Sequence, residues 1–360
     1  MRTWNFYAGP ATLSPAALER AKAEIPDWER TGMSVMETSH RSPEYDIVHH
    51  RAMDLMTSLL GLDDDHQVLF LQGGASLQFA MLPMNFVPGG GSADYVNTGT
   101  WSQKALKEAN IVATGRVAAS SEEGGFTRIP RQDEYDLDPG AAYVHITSNN
   151  TIKGTQFHDF PDTGSVPLVA DMSSDILWRP FDANRFNLIY AGAQKNIGPS
   201  GVTIVIVKKS WIEQANDGLP TMLSYGTYSA KESLYNTPPT FAIYMVRNVL
   251  EWVKDEGGLE AMERRNRLKG DRLYGVMADY PDFYTCPVDE DSRSYMNVVF
   301  RLPSEELEAQ FVAEGKSAGM VGLKGHRSVG GCRASIYNAM PPEGVEVLAG
   351  FMEDFARRNG

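Results

Sequence analysis

Short apolar runs, separated by helical patterns, recur through the first two-thirds of the chain. They read QVLFL (67–71), YVHIT (143–147), PLVAD (167–171), FNLIYAG (186–192) and VTIVIV (202–207). Runs that are apolar on both faces are typical of strands in a mostly parallel sheet that helices cover on both sides. The chain is therefore predicted to be an α/β protein, and its ligands are expected beyond the carboxyl ends of the strands.

The pattern changes after Gly257. A charged helical stretch (258–277) is followed by a strand-like SYMNVVFRL (294–302) and by a helix that Ser304 is placed to cap. The last helix carries apolar residues at amphipathic spacing, namely Val345, Leu348, Ala349, Met352 and Phe355.

A chain of 360 residues exceeds the size at which one hydrophobic core usually divides. We therefore expect a large domain at residues 1–256 and a smaller α+β domain at residues 257–360. The first residues, MRTWNFYAGPATLSP, contain no continuous apolar segment like that of a secretory signal, and the chain has no apolar run of membrane-spanning length. We expect a cytoplasmic protein.

Charge and cysteine content argue against several classes of function. The formal net charge of −13 disfavours binding to nucleic acid or to anionic membranes, so an anionic ligand would need a local basic pocket. Cys286 and Cys332 form no metal-ligand spacing. We expect two free thiols and no bound metal.

Two charged side chains stand at the ends of predicted strands. Lys195, in YAGAQKNIGPSGV (190–202), is set among small and apolar residues, where an ammonium group is costly to bury. Such a lysine has a depressed pKa and attacks carbonyl groups, although a lone lysine at a strand end more often extends to solvent. Asp171 ends the run PLVAD and is either a functional carboxylate or the cap of the turn DMSSD.

Two further segments suit a planar, phosphorylated ligand. The turn GGAS in FLQGGASLQF (70–79) precedes a predicted helix, so the backbone N–H groups near Ala75 and Ser76 would face an anion. The turn matches neither G-x-G-x-x-G nor the P-loop pattern, and many such turns contain two glycines only to reverse direction. Trp101 offers a flat face, although most tryptophans simply pack in cores. With Lys195 and Asp171, these groups meet the needs of pyridoxal phosphate.

Longer motifs make the chain resemble the phosphoserine aminotransferase family over essentially its whole length. They are NFYAGPA (5–11), SHRS (39–42), FLQGGASLQF (70–79), TSNNTIKGTQF (147–157), VADMSSD (169–175), AGAQKNIGPSG (191–201), YNTPPT (235–240) and GHRSVGGCRASIYNA (325–339). The family belongs to the class V, fold-type I aminotransferases, which are homodimers with pyridoxal phosphate sites at the dimer interface. The resemblance implies a mainly parallel seven-stranded sheet and a small C-terminal domain, with which residues 1–15 pack.

The resemblance also implies roles toward the cofactor. Lys195 is the lysine that holds pyridoxal phosphate as a Schiff base, Asp171 pairs with the pyridine nitrogen, Trp101 stacks on the ring, and Thr151 lies on its O3′ side. The phosphate contacts implied are Ala75, Ser76 and Gln194, with Asn236 and Thr237 from the neighbouring subunit.

Five basic side chains suit substrates that carry two anionic groups. An isolated His-Arg pair is usually an exposed dipeptide, but arginine's planar fork binds carboxylate and phosphate alike. The resemblance implies that Arg333 holds the α-carboxylate of the substrate. It assigns the distal phosphate or carboxylate to His40, Arg41, His326 and Arg327, the last two from the other subunit.

The implied reaction is reversible transamination between O-phospho-L-serine and 2-oxoglutarate, giving 3-phosphooxypyruvate and L-glutamate. It serves serine synthesis, and some relatives also act on 4-phosphohydroxy-L-threonine in pyridoxal phosphate synthesis. Two departures, Ala8 for a serine and Ser76 for an arginine of some relatives, each remove a side-chain contact. Two alternatives remain: another class V enzyme, such as a desulfurase or an alanine-type aminotransferase, and a non-catalytic protein that binds phosphorylated ligands.

Overall fold

Residues 2–360 are described by a computed structural model in which helices alternate with strands. The strands are β1 (Trp4–Asn5), β2 (His66–Leu71), β3 (Ser92–Asn97), β4 (Thr114–Ser120), β5 (Val144–Thr147), β6 (Asn149–Asn150), β7 (Thr155–Gln156), β8 (Leu168–Asp171), β9 (Leu188–Gly192), β10 (Thr203–Lys208), β11 (Asn297–Phe300), β12 (Met320–Val321) and β13 (Cys332–Ser335). The α-helices are α1 (Pro15–Glu24), α2 (Pro43–Leu60), α3 (Gly74–Phe86), α4 (Thr100–Val112), α5 (Lys209–Ile212), α6 (Tyr225–Ala230), α7 (Thr240–Asp255), α8 (Gly258–Asp279), α9 (Glu305–Ser317) and α10 (Pro342–Asn359).

One central sheet has seven strands in the order β2-β10-β9-β8-β5-β3-β4. Neighbouring strands are parallel except at β10, which runs antiparallel to both β2 and β9. The α/β class and the mainly parallel seven-stranded sheet are therefore confirmed. The five apolar runs supply β2, β5, β8, β9 and β10. The pattern of apolar runs does not identify β3 and β4, because their sequences, SADYVN and TGRVAAS, mix polar and small residues.

The register of the sheet gathers polar residues at one edge. Thr147, at the end of β5, pairs with Asp171, at the end of β8, and Asp171 pairs with Tyr190 of β9. Lys195 follows β9 by three residues. The carboxyl ends of three adjacent parallel strands thus place an acid, a hydroxyl and an amine on the same side of the sheet.

A second hydrophobic core lies among the C-terminal elements. Strands β11 and β13 pair in an antiparallel sheet, and helices α8, α9 and α10 pack around it. The amphipathic positions predicted for the last helix are all buried, and the Ser304 hydroxyl accepts a hydrogen bond from the backbone N–H of Leu307 at 3.3 Å, which confirms the cap of α9.

The N-terminal segment joins these C-terminal elements. Strand β1 pairs in parallel with β12, and Phe6 is buried in the second core. Helix α8 contributes to both cores, since Met262 packs in the first and Leu273 in the second. The two cores support the proposal that the chain divides near residue 257 into domains at 1–256 and 257–360.

Within residues 2–360, no helix combines the length and apolar content needed to cross a bilayer. In the same part of the chain, no cluster of three or more histidine, cysteine or acidic side chains is arranged to hold a metal ion. Cys286 and Cys332 are free thiols.

Candidate active site

A cavity of about 300 Å³ lies at the carboxyl ends of β5, β8 and β9. Two C-terminal side chains, His326 and Arg333, reach it beside the residues from the central sheet. The structure brings together in its lining all the cofactor residues predicted within one subunit, namely Ala75, Ser76, Trp101, Thr151, Asp171, Gln194 and Lys195.

Lys195 lies beside the indole of Trp101. The Lys195 Nζ is 5.5 Å from the centroid of the Trp101 ring. Gly9 packs against the stem of the lysine, because a Cβ atom at Gly9 would lie 3.4 Å from Lys195 Cγ. Burial lowers the pKa of Lys195, and the charge of Asp171 only partly opposes this shift. The lowered pKa favours the neutral amine, which is the form that attacks a carbonyl group or accepts a proton.

Asp171 is an almost fully buried carboxylate, 5% exposed. Its Oδ1 accepts a hydrogen bond from the backbone N–H of Ser173 at 2.9 Å. Burial raises the pKa of Asp171, while the hydrogen bonds from Ser173 and the charge of Lys195 lower it. A cationic group placed beside this carboxylate would favour its charged form.

The first turn of α3 forms the anion-binding side of the cavity. Gly74, Ala75 and Ser76 all line it. Gly73, with φ at +85°, must be glycine because a Cβ atom there would lie 2.6 Å from Leu77 Cβ. The backbone N–H groups of a first helical turn have no partners within the helix and lie at the positive end of its dipole. They suit a phosphate group.

A chain of hydrogen bonds joins Trp101, Thr151 and Arg333. The Trp101 Nε1 donates to Thr151 Oγ1 at 3.0 Å, and the Arg333 Nη1 donates to the Thr151 carbonyl at 2.7 Å. Burial lowers the pKa of Arg333. Its Nε is buried without a hydrogen-bond partner, as is the Thr147 Oγ1. Buried polar atoms left unpaired are costly, so these two are suited to a polar ligand.

These groups fit pyridoxal phosphate and an amino-acid substrate. One cavity is surrounded by a lysine with a lowered pKa, a buried carboxylate, an indole face and the N-terminus of a helix. Unpaired polar atoms also lie on its wall. Each of the requirements of the cofactor has a counterpart in the lining.

Five predicted residues lie elsewhere in this chain or face another cavity. Asn236, Thr237 and Arg41 are exposed, and His40 is half-buried with its Nε2 unpaired. Arg327 lines an adjoining cavity instead. The contribution of Asn236, Thr237 and Arg327 across a dimer interface stays a prediction, as does the role of His40 and Arg41 in binding the substrate.

His326 behaves differently from the other predicted partner-subunit residues. It lines the cavity of its own chain, and burial, together with the nearby charge of Arg333, lowers its pKa. One subunit therefore already places His326 beside Arg333, and the assignment of this histidine to the neighbouring site also stays a prediction.

The cavity includes residues that the sequence patterns did not single out. Asn149 and Ser173 each follow the end of a central strand, β5 or β8, within motifs already quoted. The Ser173 hydroxyl accepts a hydrogen bond from the backbone N–H of Gly192 at 3.1 Å, which ties β9 to the turn after β8. Position directly after a buried strand is the signal that would have identified both.

Comparisons with known proteins agree with this arrangement. The family model Aminotransferase class-V matches residues 3–348. A phosphoserine aminotransferase from Desulfatibacillum aliphaticivorans is 58% identical over 361 residues, covering 100% of this chain and 99% of the relative. The solved phosphoserine aminotransferase from Bacillus circulans subsp. alkalophilus is 56% identical, with a TM-score of 0.98 over 100% of this chain and 99% of that one. The pyridoxal-phosphate-bound phosphoserine aminotransferase from Trichomonas vaginalis is 37% identical, with a TM-score of 0.93 over 98% of this chain and 100% of that one.

Proposed function

Since this chain belongs to the class-V aminotransferases and, within them, to the phosphoserine aminotransferases, we propose that it transfers the amino group of O-phospho-L-serine to 2-oxoglutarate. The products are 3-phosphooxypyruvate and L-glutamate, and the reaction is reversible. Its cofactor is pyridoxal phosphate, on which the family depends. The observation that carries the proposal is the convergence of Lys195, Asp171, Trp101 and Arg333 on one cavity.

When bound, pyridoxal phosphate supplies an aldehyde that condenses with amines and a ring that withdraws electrons from the substrate Cα. Lys195 would hold the aldehyde and Asp171 the ring nitrogen. The Trp101 indole would cover the ring, while the first turn of α3 would bind the phosphate. The Asp171 carboxylate would stabilise a proton on the ring nitrogen, because a buried anion favours a neighbouring cation.

Lys195 is suited to move the proton that transamination requires. Its lowered pKa leaves a neutral amine near neutral pH more often than an exposed lysine would have. That amine would accept the proton from the substrate Cα and donate it to C4′ of the cofactor. Gly9 and the Trp101 ring restrict where the side chain can move.

Arg333 is suited to the α-carboxylate that both amino-acid substrates share. Its Nη1 is held on the Thr151 carbonyl, so the guanidinium is fixed in orientation while its Nε remains free for a ligand. The distal phosphate or γ-carboxylate would meet His326 and Arg327, and His40 and Arg41. One basic cluster then serves both substrates, as an acidic protein with anionic ligands requires.

The proposal includes a cytoplasmic homodimer with shared sites. Tyr235 is 48% exposed, and Asn236 and Thr237 beside it are exposed as well. Tyrosine is enriched at protein–protein interfaces, so this exposed segment is available for contact with a second subunit. We also propose a role in serine synthesis, with 4-phosphohydroxy-L-threonine as a second substrate in pyridoxal phosphate synthesis.

The desulfurase alternative requires a reactive cysteine. Cys332 is only 1% exposed, and burial raises the pKa of its thiol well above the usual range. A thiol that rarely ionises is a poor nucleophile, so this residue supports packing rather than sulfur chemistry.

A coupled assay with O-phospho-L-serine and 2-oxoglutarate tests the proposal. Lys195→Ala should lose at least about a thousandfold in kcat, because the variant lacks both the amine that binds the cofactor and the base. Lys107→Ala, which changes an exposed lysine on α4, should match the wild type. Borohydride should fix the cofactor to Lys195 in the yellow wild-type protein. Activity retained in Lys195→Ala, or a protein that takes up no pyridoxal phosphate, would refute the proposal.

A further inference from the structure

An ion pair behind the active site holds the loop that carries His326 and Arg327. This loop, GHRSVGG (325–331), follows β12. Glu308, on α9, is 7% exposed, and its Oε1 accepts a hydrogen bond from Arg301 Nε at 2.6 Å. The Glu308 Oε2 accepts from the backbone N–H of Gly331 at 3.1 Å, and the Arg301 Nη1 donates to the Val329 carbonyl at 2.9 Å. The two members of the pair therefore bind the loop backbone at different residues, Glu308 at Gly331 and Arg301 at Val329.

The end of the loop packs so closely against Arg301 that a residue with a side chain would not fit at Gly331. Gly330 and Gly331 have φ values of +70° and +71°, in the left-handed region. A Cβ atom at Gly331 would lie 2.7 Å from Arg301 Cδ and 2.9 Å from the Phe300 carbonyl oxygen. The conformation of this end of the loop therefore depends on where Arg301 lies.

The loop is also closed on itself. The Gly325 backbone N–H donates to the Gly331 carbonyl at 2.8 Å, and the His326 carbonyl accepts from the backbone N–H groups of Val329 at 3.0 Å and Gly330 at 2.9 Å. A short loop closed by three backbone hydrogen bonds transmits a displacement at Gly331 to His326. His326 lines the cavity that contains Lys195, whereas Glu308 and Arg301 are absent from its lining.

We propose that Glu308 and Arg301 are positioning residues that set the preference of the enzyme for substrates with a second anionic group. The inference rests on the proposed function and deepens it. Removal of one partner would leave the other charge poorly compensated and would release the loop from one of its two anchors. His326 and Arg327 would then lose their fixed positions toward the distal phosphate or carboxylate, while Lys195, Asp171 and Arg333 would keep theirs.

Steady-state kinetics with two amino donors separate this role from a general structural one. For Glu308→Ala, the KM for O-phospho-L-serine should rise about tenfold with kcat within about twofold, as expected when an interaction common to ground and transition states is lost. The rate with L-alanine, which lacks a second anionic group, should change less than about twofold. Glu308→Gln, which keeps one acceptor oxygen, should show a smaller rise in KM. Glu306→Ala, an exposed carboxylate on the same helix, is the matched control.

A second variant keeps the test decisive if Glu308→Ala does not fold. Arg301→Met removes the bond to the Val329 carbonyl from a side chain that is 40% exposed, and should give the same rise in KM. Equal losses with both donors, or an unchanged KM for O-phospho-L-serine in folded variants, would overturn the inference. Absence of phosphoserine turnover in the wild type would instead refute the proposed function.

Discussion

Asp175 is a buried carboxylate with no part in the proposed reaction. It lies four residues beyond Asp171 and is 3% exposed. Ser148 Oγ donates a hydrogen bond to its Oδ1, and Gln156 Nε2 donates to its Oδ2 at 3.1 Å. Burial raises the pKa of Asp175 to about 6. The folded protein therefore holds a proton on this residue more tightly than the unfolded chain does.

Asp175→Asn should reveal this shift as a pH-dependent difference in stability. The unfolded carboxylate titrates near pH 3.9, so the cost of folding with a charged Asp175 grows as pH rises to the folded pKa and then stays constant. The free energy of unfolding of the wild type minus that of the variant should fall by about 1 kcal/mol from about pH 5 to about pH 8.

Urea unfolding at both pH values measures the difference. In the variant, the new side-chain amide faces the Gln156 donor, which destabilises the folded state. This destabilisation does not depend on pH, so it cancels when the differences measured at the two pH values are subtracted. Asp282→Asn, at an exposed position, controls for the loss of one negative charge. A difference that is flat or rises with pH would contradict the raised pKa.

Arg41 and Arg327 should decide which donor the enzyme prefers. Arg41→Ala and Arg327→Ala should each lower kcat/KM for O-phospho-L-serine by about 10- to 100-fold, since each removes a charged hydrogen bond to the distal phosphate. Activity toward L-alanine should change little. Arg131→Ala serves as the control, because Arg131 is exposed and is distant in sequence from both Arg41 and Arg327. Equal losses with both donors would remove these two residues from phosphate binding.

Ser304 caps the N-terminus of α9, the helix that also carries Glu308. The stability of this helix therefore bears on the loop that Glu308 holds. Ser304→Ala should lower the free energy of unfolding by about 1 kcal/mol, since the Leu307 backbone N–H loses its acceptor. Ser304→Asp restores an acceptor and should recover most of the stability. Chemical denaturation measures both changes.

Ser317→Ala is the matched control, because it changes a serine at the other end of the same helix, whose hydroxyl donates to the Ala313 carbonyl at 3.1 Å. It should cost less than Ser304→Ala. A Ser304→Asp variant as unstable as Ser304→Ala would show that the hydroxyl stabilises α9 by something other than capping.

The proposed dimer predicts that two inactive subunits can complement each other. Lys195→Ala removes the amine of its own site, whereas an Asn236→Ala, Thr237→Ala double variant should damage only the site of its partner. In a hybrid dimer one site then has all its residues. Random mixing makes half of the dimers hybrid, so co-expression should restore about a quarter of wild-type activity.

Mass spectrometry of the mixture shows whether hybrid dimers have formed. Each variant expressed alone should remain inactive, which controls for contamination. Hybrid dimers that remain as inactive as their parents would contradict the assignment of Asn236 and Thr237 to the neighbouring site.

Much of the fold followed from local patterns. Apolar runs identified five of the seven central strands, because a strand that is buried on both faces is apolar throughout. Amphipathic spacing identified the last helix, because burial of one helix face repeats apolar residues every three to four positions. Strand β4 was missed because it lies at the sheet edge and is half-exposed, and half-exposed strands carry fewer apolar residues. Strand β3 is buried, but its sequence SADYVN includes polar residues that interrupt the apolar run.

The positions of Lys195 and Asp171 at strand ends can be read from the sequence alone, and its motifs indicate the family and hence the cofactor. The folded chain was needed to show that His326 and Arg333 reach the same cavity as Lys195. It was also needed to show that Glu308 and Arg301 hold the loop that carries His326. Local periodicity records which face of an element is buried. It does not record which distant segments meet, because that depends on packing between elements far apart in the chain.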